Sequence, residues 1–259
     1  MKSPTRRRRE FNLVLGALCA GALTGTRAQA VVARKYATMS LVGDMLTAVQ
    51  RDSQTGTRIN RNALTEIKVN GDIVDRAALG AVNDLIVKAE PTAKPLSLLI
   101  DEPVLYQQQA RLFDGKFVRL PLDVVKAAKD GGATHMLLLT KHRANLSFPF
   151  TIGGRSGEGT ASGLGFYIDP DRTVGDLGND RSTEGFLGLY VHIRATVVEL
   201  ASELIVGDRD IVATKMYVNT RDGFGGLPWD ALQPQQKVQA VAELLLKALR
   251  DDVPALLKS

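Results

Sequence analysis

The chain has 259 residues, 44% hydrophobic and 24% charged, with 33 basic against 28 acidic side chains and a formal charge of +5. That length and balance suit a chain that buries its own core, and a single cysteine excludes a disulfide framework or a thiolate metal site. Six of the basic residues and one of the acidic ones fall in residues 1–30, so the remainder is formally neutral and lacks the positive face on which sequence-independent nucleic-acid binding draws.

Residues 1–30 have the order of a secretory signal. A basic head (Lys2, Arg6 to Arg9) is followed by an apolar stretch ending at Leu23, then by the small-residue site Ala28-Gln29-Ala30. The apolar stretch is too short to span a bilayer, which takes ~20 residues, so it is expected to be cleaved after Ala30 rather than to anchor the protein. Arg8-Arg9-Glu10-Phe11 resembles the R-R-x-F core of twin-arginine signals. Asn12 departs from the apolar residue usual at the next position, while Arg27 and the glycines and alanines of the apolar stretch favour the twin-arginine route over general secretion. Cys19 follows Leu18, with Gly16 three positions back, which is a poor lipidation site. The resemblance implies a periplasmic protein of a Gram-negative type of bacterium with a mature chain over residues 31–259, whose length and apolar content are expected to make a single α/β domain.

Lys35 to Gly43 alternates in character and reads as a first strand, with Ala37, Met39 and Leu41 on one side. Met45 to Val69 reads as a peripheral hairpin around Thr55-Gly56-Thr57. Asp75 is expected to cap a helix reaching Glu90-Pro91, with Ala78, Leu79, Val82, Leu85 and Ile86 on its inner face. Leu96 to Ile100 reads as a strand covered on both sides. A short helix over about 102–112 and a second opened by Pro121 and stopped by Gly131-Gly132 come next, and Met136 to Leu139 then reads as a buried strand. Strand, helix, strand, helix, strand predicts a parallel first half.

The second half changes character. Residues from about 150 to 185 read as a mobile Gly-rich and acidic loop that contains a strand over Leu164 to Ile168. Leu187–Leu200 and Leu204–Val218 read as long antiparallel strands joined through Gly207-Asp208. A helix over about 231–253 closes the chain, with Val238, Val241, Ala242, Leu245, Leu249 and Val253 as its apolar stripe and Trp229 anchoring its start, a sugar- or ligand-stacking role being the less favoured alternative. The predicted fold is therefore mixed α/β, a three-layer-like sheet with a parallel first half, added antiparallel strands and a C-terminal amphipathic helix.

No diagnostic catalytic motif is present. Val42-Gly43-Asp44 resembles the opening of the G-D-S block of lipase-like hydrolases, but Met45 stands where the serine would be, and G-x-S-x-G is absent. Gly153-Gly154-Arg155-Ser156-Gly157 lacks the G-K-[ST] ending of a phosphate loop. Asp169 to Asp180 has the alternate acids of a calcium loop with Val174 where the turn needs glycine, which leaves at most a weak, irregular calcium contact. His135, His142 and His192 are scattered, without zinc-ligand spacing. What remains is topological. The expected strands end in Asp44, in Asp101-Glu102 and in Lys141-His142-Arg143, and open parallel sheets bind ligands beyond those ends. Asp44, Asp101 and His142 are the candidate site, set against the ordinary polarity of loops where strands leave a core.

The late strands Arg194 to Leu200 and Ile211 to Lys215, followed by the amphipathic helix, resemble the periplasmic α/β domains of CsgG-like and TolB N-terminal-like envelope proteins. The resemblance implies fold rather than activity. Three functions fit the sequence. The first is a non-catalytic cell-envelope interaction protein with an envelope partner, no cofactor and no membrane anchor after cleavage. The others are a metal-assisted hydrolase using Asp44, Asp101 and His142, and a small-ligand binder using the same crevice.

Overall fold

The computed structural model describes residues 34–51, 62–69, 71–149, 155–176, 181–218, 229 and 232–258, leaving aside the side chains of 172–184 and 218. The expected signal segment 1–30, the expected turn at Thr55-Gly56-Thr57, Gly153-Gly154 and residues 177–180 lie outside them. In chain order the strands are β1 (Tyr36–Ser40), β2 (Met45–Gln50), β3 (Ala63–Lys68), β4 (Leu96–Leu98), β5 (Phe113–Asp114), β6 (Phe117–Val118), β7 (His135–Lys141), β8 (Arg143–Asn145), β9 (Phe148–Pro149), β10 (Arg155–Ser156), β11 (Thr160–Asp176), β12 (Arg181–Glu199) and β13 (Leu204–Val218). The helices are α1 (Ile73–Ala89), α2 (Pro103–Gln108), α3 (Leu122–Asp130) and α4 (Pro234–Leu257), with a 3₁₀ turn at Gln109–Leu112. Among the described residues, eleven strands form one mixed sheet, and β9 with β10 makes a separate ribbon.

The sheet is organised by β12. One edge of it pairs antiparallel with β13. Its other edge is shared end to end, Phe186 to His192 lying against β11 and Ile193 to Glu199 against β7. β1 then pairs parallel with both β7 and β4, giving the parallel unit expected of the first half. β2 and β3 form the expected antiparallel hairpin, but it is not peripheral, because β2 also pairs parallel with β11 along Leu46 to Gln50. That pairing is close. A side chain at Gly165 would run into the Thr47 carbonyl, and the Tyr190 hydroxyl donates to the same carbonyl at 3.1 Å.

Alternation along the strands divides the interior. Leu137 and Leu139 of β7 belong to the cluster that contains Val82 of α1 and Leu245 of α4. Met136 and Leu138 belong to the cluster with Val124 and Ala128 of α3. β1 is buried throughout because it has a strand on either side and apolar cover on both faces. A third cluster, built on Phe148, Tyr167, Phe186 and Tyr190, sits where the β8–β9 segment crosses the long strands.

Several expectations change. β4 stops at Leu98 and is half-exposed, since only β1 pairs with it and an edge strand lacks the second neighbour that would cover it. The acidic stretch from Asp169 is not loop as far as Asp176, because β11 continues there after a register irregularity. Asp169 is buried and ion-paired with Arg51 at 3.1 Å, a partner no sequence window contains. The β12–β13 connection is the turn at 200–203, with Glu203 at φ 60°. Gly207 lies inside β13 beside a bulge at Val197/Val198. In α4, Val241, Leu245, Leu249 and Val253 are buried as expected, joined by Leu244, Ala248 and Leu256. No described helix is long and apolar enough to cross a membrane.

Candidate functional site

Where β1 ends at Ser40, the chain runs through Leu41-Val42-Gly43-Asp44 into β2, and the first turn of α1 packs against this link. Asp75, expected as the helix cap, lies inside that first turn instead, while Asp72 occupies the cap position without a side-chain cap bond. Asp75 is only 2% exposed. Its Oδ1 accepts from Ser40 Oγ at 2.5 Å and from the backbone N–H groups of Val42 at 3.2 Å and Gly43 at 3.1 Å. Its Oδ2 accepts from the Tyr106 hydroxyl at 2.9 Å. Burial pushes the Asp75 carboxyl above the usual aspartate range, and these four donors offset part of the rise. Burial also raises the Tyr106 phenol, with the Asp75 charge adding to it. Gly43 is required here, because a Cβ would lie 2.7 Å from the Asp75 carboxylate.

Gln109 ties the same corner together. Its Nε2 donates to the Tyr106 carbonyl at 2.7 Å and to the Leu41 carbonyl at 3.3 Å, and its Oε1 accepts from the Lys141 N–H at 2.6 Å. One buried amide thus links the ends of β1 and β7 to α2.

These elements frame a cleft of about 740 Å³ beyond the carboxyl ends of β1 and β4, within the size range of small-molecule sites. Met45, Val69, Leu99, Ile100 and Pro103 give it apolar wall, while Asp44, Lys68, Asp72, Asp75, Arg76, Asp101 and Tyr106 supply the polar groups. Asp44 is ion-paired with Lys141 at 2.6 Å, and Asp72 with Arg76 at 2.6 Å. The Arg76 hydrogen bond holds the Asp72 carboxyl below its usual range. Asp101 is exposed and lines the cleft without a hydrogen-bond or ion-pair partner among the described residues.

Of the three residues singled out in the sequence, Asp44 and Asp101 therefore line one cleft and His142 does not. His142 follows β7 toward the other edge of the sheet, where its Nδ1 lies 3.4 Å from Asp210, an acid already held by Arg194 at 2.6 Å. Adjacent residues of an extended chain point to opposite sides, so Lys141 reaches Asp44 and His142 turns away. Among the described residues no group of three His, Cys, Asp or Glu side chains is placed to hold a metal ion. His192 is fully buried, its Nδ1 3.1 Å from the Ala161 carbonyl, and burial lowers its pKa. His135 is half-buried beside Thr134 Oγ1 at 2.9 Å.

Sequence reading missed Asp75, Tyr106 and Gln109 as parts of one site. For Asp75 a signal existed. Asp72, three residues earlier, is an alternative cap residue, which places Asp75 inside the first turn of the helix. Tyr106 and Gln109 carry no such signal, because their partners are 31 and 68 residues away.

No family model matches the chain, and no curated protein matches it in sequence. Among solved structures it is similar to a protein described as a neuraminyllactose-binding hemagglutinin homologue from Helicobacter pylori, with 8% identity, 85% of this chain and 84% of that one covered, and a TM-score of 0.37. A DUF330 protein from Xanthomonas campestris gives 9% identity, coverages of 87% and 82%, and a TM-score of 0.31. A dodecameric PelC variant from Paraburkholderia phytofirmans gives 8%, 86% and 88%, and 0.29. At these identities and scores the likeness places the chain in no family and carries no function.

Proposed function

We propose that the protein is exported by the twin-arginine route, is cut after Ala30, and works in the periplasm as a non-catalytic binding protein of the cell envelope whose α1–β4 cleft takes a small ligand rich in hydrogen-bond donors, an amine or a polyol. The observation that carries this reading is the state of the carboxylates around the cleft. Asp44, Asp72 and Asp75 are each committed to a cation or to fixed donors, which suits a preformed recognition surface better than a free nucleophile or general base. Asp101 is left to meet a ligand donor, beside the apolar wall of Leu99, Ile100 and Pro103. The hydrolase reading has no such support, since His142 lies away from the two acids. Cleavage after Ala30 leaves the packed unit Arg34–Ser259 whole.

Two measurements test the proposal. Periplasmic fractionation with N-terminal sequencing is expected to give a chain starting at Val31, and replacing Arg8 and Arg9 by lysine is expected to hold the precursor in the cytoplasm. A thermal-shift screen of the processed protein against amines and polyols is expected to give a ligand whose shift is lost in Asp101→Asn, a variant at an exposed position that leaves the unliganded melting point unchanged. A cytoplasmic chain beginning at Met1 overturns the first part, and a ligand shift indifferent to Asp101→Asn overturns the second.

A further inference from the structure

A second cavity, of about 710 Å³, opens between the β2–β3 hairpin, β11 and the first turns of α4. Its walls are apolar. They are built from Leu46, Ile73, Phe166, Trp229, Val238 and Ala242. Trp229 meets the Phe166 ring edge-on at 4.9 Å and is half-buried, so the indole forms wall rather than filling.

The described charged residues that line this groove have one sign, although Lys68 also lines the neighbouring α1–β4 cleft with its aspartates. Among the described residues that line the groove, Lys68 and Lys237 are the charged ones and no acid is present. Lys68 is exposed and has no ion-pair partner among the described residues. Lys237 places its Nζ 3.6 Å from the Trp229 ring, which fixes the ammonium at the mouth without neutralising it. Pro234 and Gln235, at the start of the 24-residue helix α4, also line the groove. That end of the helix adds a positive partial charge of its own.

We propose that this groove is a second binding site, adjoining the α1–β4 cleft and sharing Lys68 and Val69 with it, for a single-chain anionic amphiphile, a long-chain carboxylate whose tail lies along Ile73, Trp229 and Val238 and whose head meets Lys68 and Lys237. Charge complementarity selects this occupant. A neutral or cationic chain of equal length would gain the same apolar contact but would not pair with the two ammonium groups.

Trp229 is the sole tryptophan in the chain, so its emission reports directly on the groove. The purified protein is titrated with dodecanoate, dodecanol and dodecylammonium, each below its aggregation threshold. Dodecanoate is expected to give a saturable change in emission, with the other two binding at least about tenfold more weakly. Lys68→Glu, at an exposed position, is expected to abolish that preference while leaving the unfolding midpoint unchanged. Ala242→Phe, which fills the groove, is expected to remove binding of all three; if that variant fails to fold, the Lys68→Glu comparison decides alone. No saturable change, equal affinity for the three headgroups, or a preference that survives Lys68→Glu would each overturn the proposal.

Discussion

Removing the Asp75 carboxylate would leave the Ser40 hydroxyl and the Val42 and Gly43 N–H groups without their acceptor and the Tyr106 hydroxyl with only the Ile100 carbonyl at 3.3 Å. Buried donors without partners are costly, so Asp75→Ala is expected to lower unfolding stability by about 3 kcal/mol in urea titrations. Its pH behaviour has a definite sign. Because the folded carboxyl lies above the 3.8 of an unfolded aspartate, the native state holds this proton more readily. The stability from this group is then full below that value and is lost as pH rises through the folded one. Asp72 and Asp210, both held low chiefly by hydrogen bonds from arginines, act in the opposite sense, contributing above 3.8 and losing that contribution as pH falls through their folded values. Asp75→Asn is therefore expected to flatten the decline of stability above about pH 4 while leaving the acid limb in place. A decline unchanged in that variant would assign it to another group. Gly43→Ala tests the same corner by crowding, since its new Cβ would fall 2.7 Å from the Asp75 carboxylate. A loss of about 2 kcal/mol is expected from such overpacking, read from the same denaturation curves.

Among the elements, those whose partners leave a periodic trace were legible and those defined by their position in the sheet were not. α4 shows its inner face through Val241, Leu245, Leu249 and Val253, because a helix lying on a sheet hides one stripe. The long strands β12 and β13 show as sustained β-branched and aromatic runs. In contrast, β4 and β7 both read as short apolar runs, although β7 is central and β4 is an edge. Which strand lies next to which is not written in either run. The β2–β3 hairpin is similar, since its local pairing was expected from the sequence but the parallel seat of β2 against β11 depends on residues over a hundred positions away. Leu245, fully buried between α4 and the sheet, gives the test at this scale. Leu245→Ala is expected to cost about 3 kcal/mol, from lost burial and the cavity left behind, measured by chemical denaturation.

For the whole molecule, the charge balance and the proposed export signal belong together, because the excess of basic residues resides in the first thirty. The proposed processed chain is expected to pass through a heparin column at physiological ionic strength, while the uncut precursor is retained. Retention of the processed form would point to a basic face that the count conceals. Composition, charge partition, most helix positions and the mixed α/β class were set by the sequence itself, since each depends on local order or on totals. The candidate site was only partly legible. Polar strand ends marked Asp44 and Asp101, but the same rule drew in His142, which the alternation of an extended chain sends to the opposite side. Asp75, Tyr106 and Gln109 become a unit only when α1, α2 and the end of β1 meet, and the Lys68–Lys237 groove exists only once α4 lies beside the hairpin. Contacts between residues far apart in the chain depend on which strands pair and in what register, and that choice is made by the assembled sheet as a whole.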